Sequence, residues 1–334
     1  MNLEYLAPTK RRYCWQQRGK RFWGLVAAAV VLLVILAIAV PLAVVLPRNK
    51  RQAPPPGSII LPLYIYPHDN TTWSPVYEAL QKHPSLNFTI VINPNSGPGS
   101  GPAPNAQYTE AITTLSSYAN ARLLGYVRTG YAARNVSEVL DDIGVYAAWS
   151  SHSPTLAMHG IFLDEAPHVF SSDAVELMRT VDERIKTVEG LYEPRTIVHN
   201  PGVIPDPAYL APAEAESATT GASSDDIITV IYEQSYEQWN SNNEKNSDGS
   251  IQTGLTTANF ASSDDDGGKE GDRSTYSIMV HSVPPTLAGA ELETFVGDLS
   301  RSAQYVYITT NTEHFYESFA SDWMDFVDSV PKAT

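Results

Sequence analysis

The chain has 334 residues, enough for one large domain or two average ones, and its 43% hydrophobic and 18% charged residues are typical of globular proteins. Its charge is unevenly distributed: residues 52–334 hold 13 of the 22 basic and 36 of the 37 acidic residues, a formal net charge of −23. So acidic a body repels phosphate backbones, which argues against a nucleic-acid partner.

Residues 24–46 form a continuous run without a charged side chain. The run is long enough to cross a hydrocarbon core of about 30 Å, and longer than the roughly 7 to 15 apolar residues of a cleaved signal peptide. Residues 1–22 carry a net charge of +5, which favours a cytoplasmic N-terminus. We therefore predict a single-pass type II membrane protein at the plasma membrane or cell surface, with a cytoplasmic tail (1–23), an anchor (24–46) and an extracellular body.

Modification motifs agree with this topology. Three N-glycosylation tripeptides begin at Asn70, Asn87 and Asn135, all in the exported part. The single cysteine, Cys14, lies in the predicted tail, so the body has no intramolecular disulfide and depends on a large core. A palmitoylated Cys14 and a free thiol are equally compatible with the sequence.

A Pro-rich spacer, residues 47–58, precedes an alternation of β-branched or aromatic runs with helix-like segments. The runs predict eight strands, at residues 59–66, 88–93, 122–128, 160–164, 195–199, 227–233, 276–281 and 305–309. The intervening segments predict helices at residues 75–83, 107–119, 136–149, 173–188, 289–302 and 315–330.

Eight strands that alternate with helices predict a parallel sheet with right-handed crossovers, closed into a single (β/α)8 TIM barrel over residues 59–334. The alternative is an open, doubly wound sheet. That fold usually carries a Gly-rich phosphate loop after its first strand, where this chain has the sequence Tyr-Pro-His-Asp at residues 66–69. We expect a monomer, with one transmembrane helix before the barrel.

Two long polar segments, residues 94–105 and 240–274, follow predicted strands and therefore belong to the C-terminal rim of the barrel, where loops build active sites. The acidic segment 240–274 is also compatible with a solvated surface insertion. Its aspartates lack the other ligands of a calcium loop.

Polar side chains are concentrated at or just after the C-terminal ends of the predicted strands, whereas the opposite ends are largely apolar. In a barrel these positions line the mouth, and we assign them to substrate binding. The candidate substrate-binding residues, with Tyr232 added because its ring could stack on a sugar, are Tyr66, His68, Asn93, Arg128, Tyr131, His199, Asn200, Tyr232 and His281.

Three carboxylates are the candidate catalytic residues. Asp164 and Glu165 end an apolar strand, and Glu233 ends another apolar strand two positions further around the barrel. A carboxylate at the end of a buried strand destabilises the fold unless it is solvated or has a functional role. Opposed carboxylates, one protonated and one ionised, are the machinery of glycoside hydrolysis. Helix capping by the first two acids, or a rim salt bridge of Glu233, are the structural alternatives.

Other chemistries have weaker support. The sequence has no HxH or HExxH metal motif and no GxSxG elbow, and the body has no cysteine nucleophile. A metal site of His68, His199 and His281 with Asp164 is a minor alternative. We predict that the protein uses no metal and no organic cofactor.

Several short motifs together resemble the spherulation-specific family 4 (spherulin 4) proteins, which include fungal glycoside hydrolase family 135. The motifs that carry the resemblance are Tyr64-Ile65-Tyr66-Pro67, Ile92-Asn93-Pro94-Asn95-Ser96-Gly97-Pro98-Gly99, Gly125-Tyr126-Val127-Arg128-Thr129-Gly130-Tyr131, Gly160-Ile161-Phe162-Leu163-Asp164-Glu165, His199-Asn200-Pro201-Gly202 and Tyr232-Glu233. They occur in order from residue 59 to the C-terminus.

The resemblance implies a (β/α)8 barrel, a type II anchor in some fungal members, and endo-α-1,4-N-acetylgalactosaminidase activity on galactosaminogalactan. By motif position, the family's acids would be Asp164, Glu165 and Glu233. We predict Asp164 as nucleophile, Glu233 as acid/base and Glu165 as the group that tunes the pair, with the choice between Asp164 and Glu165 open. The alternatives are a non-catalytic carbohydrate-binding cell-wall protein and a hydrolase of deacetylated polygalactosamine. An insertion at residues 212–226 leaves the width of the groove open.

Overall fold

The computed structural model describes residues 57–210, 227–242 and 273–332. Eight parallel strands close into a barrel in sequence order, with helices in the connections. This confirms the predicted (β/α)8 barrel over the open doubly wound sheet.

The predicted tail (1–23) and anchor (24–46) lie outside the described residues, as do nearly all of the spacer, the insertion before the sixth strand and most of the acidic segment. In the part of the chain that the structure does describe, no helix is both long and apolar enough to cross a membrane.

The strands are β1 (Ser58–Leu63), β2 (Phe88–Ile92), β3 (Ala121–Arg128), β4 (Gly160–Asp164), β5 (Thr196–Asn200), β6 (Ile227–Ser235), β7 (Tyr276–His281) and β8 (Tyr305–Ile308). The helices are α1 (Ser74–Lys82), α2 (Ala106–Leu115), α3 (Val136–His152), α4 (Ser172–Thr187), α5 (Tyr236–Asn242), α6 (Ala290–Ser302) and α7 (Trp323–Ser329). Short 3₁₀ turns occupy Pro154–Leu156, Pro207–Tyr209, Arg273–Thr275 and Val330–Lys332.

The barrel closes where β8 pairs with β1, through Ser58 opposite Tyr305 and Ile59 opposite Val306. All six residues of β1 and all five of β2 are buried. Parallel strands in a barrel are covered on both faces, so apolar residues occur in runs rather than alternating with polar ones. The core therefore fills both the barrel interior and the layer between barrel and helices.

Gly125 of β3 allows helix α3 to approach the barrel wall closely. A Cβ atom at this position would lie 2.6 Å from the ring of Tyr146, which is fully buried on α3. The Tyr146 hydroxyl also donates a hydrogen bond to the Ile92 carbonyl, 2.9 Å away. The missing side chain of Gly125 thus provides the space in which this tyrosine ties α3 to the barrel.

Strand β6 contains a β-bulge that changes the direction of its later side chains. Its register against β7 shifts between Val230 and Tyr232, so one residue has no partner. Thr229, before the bulge, lines a small cavity on the outer side with residues of the helical layer. Strict alternation would point Glu233, four residues later, outward as well. The extra residue turns Glu233 to the barrel interior instead.

The last helix is shorter than predicted: α7 covers Trp323–Ser329 instead of residues 315–330. The preceding residues form a loop whose backbone is bonded to side chains. The Asn311 amide donates to the carbonyls of Phe315 and Ser318, at 3.3 and 2.9 Å. Tyr316 in this loop also bonds through its carbonyl to the Tyr64 amide, at 3.2 Å, where β1 has already ended.

We expect Gly125→Ala to destabilise the protein by about 1–3 kcal/mol, since the new methyl group overpacks a buried ring that cannot move freely. Thermal unfolding measures the effect. The matched control is Gly144→Ala on α3, where the nearest atom, of Arg184, is 3.7 Å from the new Cβ and the helix gains propensity. Equal melting temperatures for wild type and the Gly125 variant would contradict the packing role.

Candidate active site

Asp164 is the last residue of β4, and its carboxylate lies inside the barrel mouth. It pairs in register with Asn200 of β5 and Arg128 of β3. The Tyr126 hydroxyl donates a 2.6 Å hydrogen bond to Oδ2, and the Asn200 amide donates a 2.8 Å bond to Oδ1. Both oxygens therefore have a partner that fixes the orientation of the carboxylate.

Asn200 connects the two opposed acids. Its Nδ2 donates to Asp164 Oδ1 at 2.8 Å and to Glu233 Oε2 at 2.6 Å. Its Oδ1 accepts a 3.1 Å bond from the backbone amide of Gly202, which fixes the orientation of the side-chain amide. Asn200 is 4% exposed, so this arrangement is shielded from water.

Glu233 is held from several sides. The Tyr316 hydroxyl donates a 2.5 Å hydrogen bond to Oε1, while Asn200 donates to Oε2. The Glu233 backbone amide donates to the Gly202 carbonyl at 2.9 Å. Gly202 has a φ of 69°, a left-handed backbone conformation that favours glycine at this turn.

The spacing of Asp164 and Glu233 is set by this shared donor. Because both acceptor oxygens bond one nitrogen, they cannot be farther apart than the sum of the two bond lengths, 5.4 Å. Retaining glycosidases hold their carboxyl groups about 5 to 5.5 Å apart, and inverting enzymes about 6.5 to 9.5 Å apart. This upper limit on the separation of Asp164 Oδ1 and Glu233 Oε2 agrees with the retaining arrangement.

The pKa of Glu233 is raised above its usual value, chiefly because burial disfavours the carboxylate, and further because Asp164 adds negative charge nearby. The hydrogen bonds from Tyr316 and Asn200 act in the opposite direction without cancelling the rise. The environment of Glu233 thus favours its protonated form.

Three tyrosines form an aromatic wall beside the acids. Tyr64 packs edge-on against both Tyr126 and Tyr316, with ring centroids 5.4 Å apart in each case. Burial raises the pKa of all three hydroxyls, and the charges of Asp164 and Glu233 raise it further for Tyr64 and Tyr316. The hydroxyls stay protonated, and those of Tyr126 and Tyr316 donate hydrogen bonds to the acids.

Glu165 lies beside the pair rather than in it. Its φ of 50° turns the backbone sharply after β4. Thr129 holds that turn: its hydroxyl donates to the Glu165 carbonyl at 2.7 Å, and its backbone amide to the Asp164 carbonyl at 2.9 Å. The Glu165 carboxylate lies 3.8 Å from Nε of Arg128. Arg128 and Glu165 are therefore a partly exposed ion pair at the rim.

The remaining rim candidates lie at other sides of the mouth. Tyr66 is 37% exposed, accepts a 3.0 Å bond from the Asn105 amide, and packs against the exposed His68 with centroids 4.9 Å apart. Asn93 is half-buried and accepts a bond from the Gly97 amide, which shapes the loop after β2.

Two predicted binding residues point away from the mouth. His199 is 6% exposed and bonds Asp182 of α4 at 2.8 Å, because it precedes the inward-facing Asn200 on β5. Tyr232 precedes the inward-facing Glu233, and its ring packs edge-on against Trp239 at 5.2 Å in the helical layer. The assignment of both residues to substrate binding is corrected by the alternation of strand side chains.

His281, at the end of β7, stacks on Phe315 with ring centroids 3.8 Å apart and bonds Ser282 through Nδ1. Burial lowers its pKa. With His199 turned to the helical layer, the histidines of the alternative metal site are not brought together. Within the residues that the structure describes, no group of three or more His, Cys, Asp or Glu side chains could hold a metal ion.

The sequence did not predict the tyrosines that donate hydrogen bonds to the acids, Tyr126 and Tyr316. Tyr126 sits two residues before Arg128, on the same strand face, so the strand period could have identified it. Tyr316 falls in a segment predicted as helix, and no sequence signal indicates that this loop reaches Glu233.

Comparison with known proteins decides the family. The family model of Spherulation-specific family 4 matches residues 58–330, which is the whole barrel. The chain belongs to this family. The sequence is also 36% identical to Spherulin-4 of Physarum polycephalum over 156 residues, which are 47% of this chain and 42% of that protein. The match thus spans less than half the length of this family member.

A solved structure of the same fold gives a wider match. The crystal structure of Aspergillus clavatus Sph3 in complex with GalNAc superposes with a TM-score of 0.69 at 35% sequence identity. The match covers 83% of this chain and 98% of Sph3. This Spherulation-specific family 4 barrel therefore resembles a protein that binds an amino sugar.

We expect Tyr316→Phe to raise the pKa of Glu233 further, because the variant loses a hydrogen bond that lowers it. Titration of ¹³C-labelled glutamate carboxyls by NMR measures the shift. Tyr305→Phe, at the N-terminal end of β8, is the matched control and should leave the Glu233 titration unchanged.

The raised pKa of Glu233 also makes the stability of the protein depend on pH. Because Glu233 binds its proton more tightly in the folded state, the free energy of unfolding falls as pH rises from 4.5, the ordinary value, through the folded pKa. That fall should be larger in Tyr316→Phe. A Glu233 titration midpoint equal to or below that of wild type would contradict the assigned hydrogen bond.

Proposed function

We propose that the protein is a membrane-anchored, extracellular, endo-acting glycoside hydrolase that cleaves an N-acetylgalactosamine-containing polysaccharide. The observation that carries the proposal is the pair of Asp164 and Glu233 bridged by the Asn200 amide, with unequal environments and a separation suited to retaining hydrolysis. Such a pair supplies both nucleophile and proton donor, so the reaction requires no metal or organic cofactor.

In the first step, protonated Glu233 donates its proton to the glycosidic oxygen as the bond from that oxygen to the anomeric carbon breaks. Asp164 attacks the anomeric carbon and forms a covalent glycosyl ester. Tyr126 and Asn200 hold the Asp164 oxygens for this attack. Loss of the proton leaves Glu233 as a carboxylate, which Tyr316 and Asn200 stabilise through their hydrogen bonds.

In the second step, Glu233 takes a proton from water as the water oxygen attacks the anomeric carbon, and the bond to Asp164 breaks. This restores protonated Glu233 and the Asp164 carboxylate. Two inversions at one carbon give net retention. Glu165, paired with Arg128 at the rim, takes no part in either proton transfer.

Two observations support an amino-sugar substrate. The Sph3 structure, 35% identical over most of this chain, contains GalNAc. The tyrosine wall of Tyr64, Tyr126 and Tyr316 gives the mouth apolar aromatic rings, which suit the hydrophobic face of a sugar ring.

The anchor completes the proposal. Residues 24–46 would hold the barrel at the cell surface, and the excess of positive charge in residues 1–22 favours a cytoplasmic N-terminus. An extracellular polymer would then be within reach of the barrel mouth.

We expect Asp164→Asn and Glu233→Gln each to lower turnover by about 10² or more, because each removes a nucleophilic or proton-transfer role. Proton NMR of an N-acetylgalactosamine oligosaccharide digest measures turnover and shows the anomer released first, which should be the retained one. Asp298→Asn, on the outer helix α6, is the control of equal size and should keep full turnover.

Two results would contradict this function. Equal product release from wild type and both variants would remove the acids from the mechanism. An inverted first product would exclude Asp164 as a nucleophile, even if both acids proved essential.

We expect N-linked glycans on at least one of Asn70, Asn87 and Asn135. All three asparagines are exposed on the barrel domain. Glycosidase-sensitive mobility of the full chain in gels measures this, with the three asparagines changed to glutamine as control.

A protease added outside intact cells should degrade the barrel and spare the tail that carries Cys14. A protected barrel and an accessible tail would contradict the topology.

A further inference from the structure

Large apolar side chains lie exposed at one side of the barrel mouth. Six large hydrophobic residues of the described chain are exposed, and four of them belong to the loops after β3, β4 and β5. These four, which we call the apolar ridge, are Tyr131 (57% exposed), Val169 (69%), Phe170 (59%) and Ile204 (37%). Single exposed apolar residues are common, but a cluster beside a site marks a binding surface.

The loops of the apolar ridge are tied together. The Tyr131 ring meets the His168 ring edge-on, with centroids 6.2 Å apart. The Asp206 amide donates to the His168 carbonyl at 2.8 Å, and the Tyr209 hydroxyl donates to the Val169 carbonyl at 3.0 Å. The loop after β4, which carries Val169 and Phe170, is thus fixed to the loops on both sides of it.

The apolar ridge is continuous with the catalytic acids. The Tyr131 amide donates a 2.6 Å bond to the Glu165 carbonyl, and Glu165 directly follows Asp164. The pKa of Tyr131 is raised, first by partial burial and then by the charges of Glu165, Asp164 and Glu233. Tyr131 therefore lies between the acids and the more exposed Val169 and Phe170.

We propose that the apolar ridge binds further sugar residues of the same polymer, beyond the bond that is cleaved, and that it prefers N-acetylated residues. The proposal deepens the glycosidase function and rests on it. We infer the polymer as its ligand because the apolar ridge adjoins the catalytic acids. A polysaccharide bound at Asp164 and Glu233 must extend out of the mouth over part of the rim.

The preference for acetylated residues follows from the side chains of the ridge. Valine, phenylalanine and isoleucine offer apolar area to acetyl methyl groups and to the hydrophobic faces of sugar rings. An ammonium group of a deacetylated residue would lose hydration there without an ion-pair partner on these three side chains.

The ridge has a counterpart across the mouth. Tyr66 follows β1, which stands opposite β5 in a closed ring of eight strands. A polymer that crosses the mouth from Tyr66 to Phe170 passes over the acids with sugar residues on both sides. Such a path explains why the substrate would be cut within the chain.

The test compares a long and a short substrate. In the full-length protein, Val169→Ser with Phe170→Ser should lower kcat/KM about tenfold on a long acetylated N-acetylgalactosamine polymer, from lost apolar contact. Activity on a disaccharide-sized substrate should change less than twofold. Both residues are exposed, so the fold should tolerate the change. The control is Tyr192→Ser, an aromatic 45% exposed on the loop before β5 at the other end of the barrel.

Binding measurements distinguish a failure of the apolar ridge proposal from a failure of the proposed hydrolytic function. In an Asp164→Asn background, the double variant should bind the long polymer about tenfold more weakly by calorimetry, whether or not the wild type hydrolyses it. The loss should shrink on a partially deacetylated polymer. Equal losses on long and short substrates, or an effect matched by Tyr192→Ser, would overturn the proposal. So would a ridge variant that changes only self-association, measured by light scattering, since the ridge would then bind a second copy.

Discussion

One side-chain amide fixes the geometry of this site. Asn200 donates both of its protons to carboxylates, one to Asp164 and one to Glu233, and thereby sets their separation. The bond from the Gly202 amide to its carbonyl oxygen prevents the amide from turning. An amide in this place serves both acids because its two protons can be given at once, whereas a hydroxyl group has only one to give.

The electrostatic consequence is an unequal pair. Burial and the charge of Asp164 raise the pKa of Glu233, while Asp164 accepts hydrogen bonds from Tyr126 and Asn200. Proton transfer and nucleophilic attack need this inequality, because two carboxylates in identical surroundings would compete for one role. The side chains that donate hydrogen bonds to the two acids are neutral: Tyr126, Asn200 and Tyr316. Hydrogen bonds from neutral side chains therefore stabilise negative charge on this pair.

Much of the architecture could be predicted because it follows from local patterns. Strands of buried aliphatic residues alternate with helices over the whole body, and the acids Asp164 and Glu233 end two of those strands. Position at a strand end, however, does not give side-chain direction. His199 and Asn200 are neighbours, and only the register of β5 decides that Asn200 faces the acids while His199 bonds Asp182. Tyr316 reaches Glu233 from a loop, through contacts distant in sequence that no local pattern encodes.

The bulge in β6 shows how narrowly such a site depends on strand register. Thr229 and Glu233 face opposite sides of the barrel wall only because one residue of β6 has no partner on β7. If every residue of β6 paired in strict alternation, Tyr232 would point into the mouth and Glu233 into the helical layer. Deleting the unpaired residue would not have this effect, because Tyr232 and Glu233 would keep their partners on β7. The pairing of β6 with β7 thus decides whether the end of this strand presents an acid or an aromatic ring to the barrel mouth.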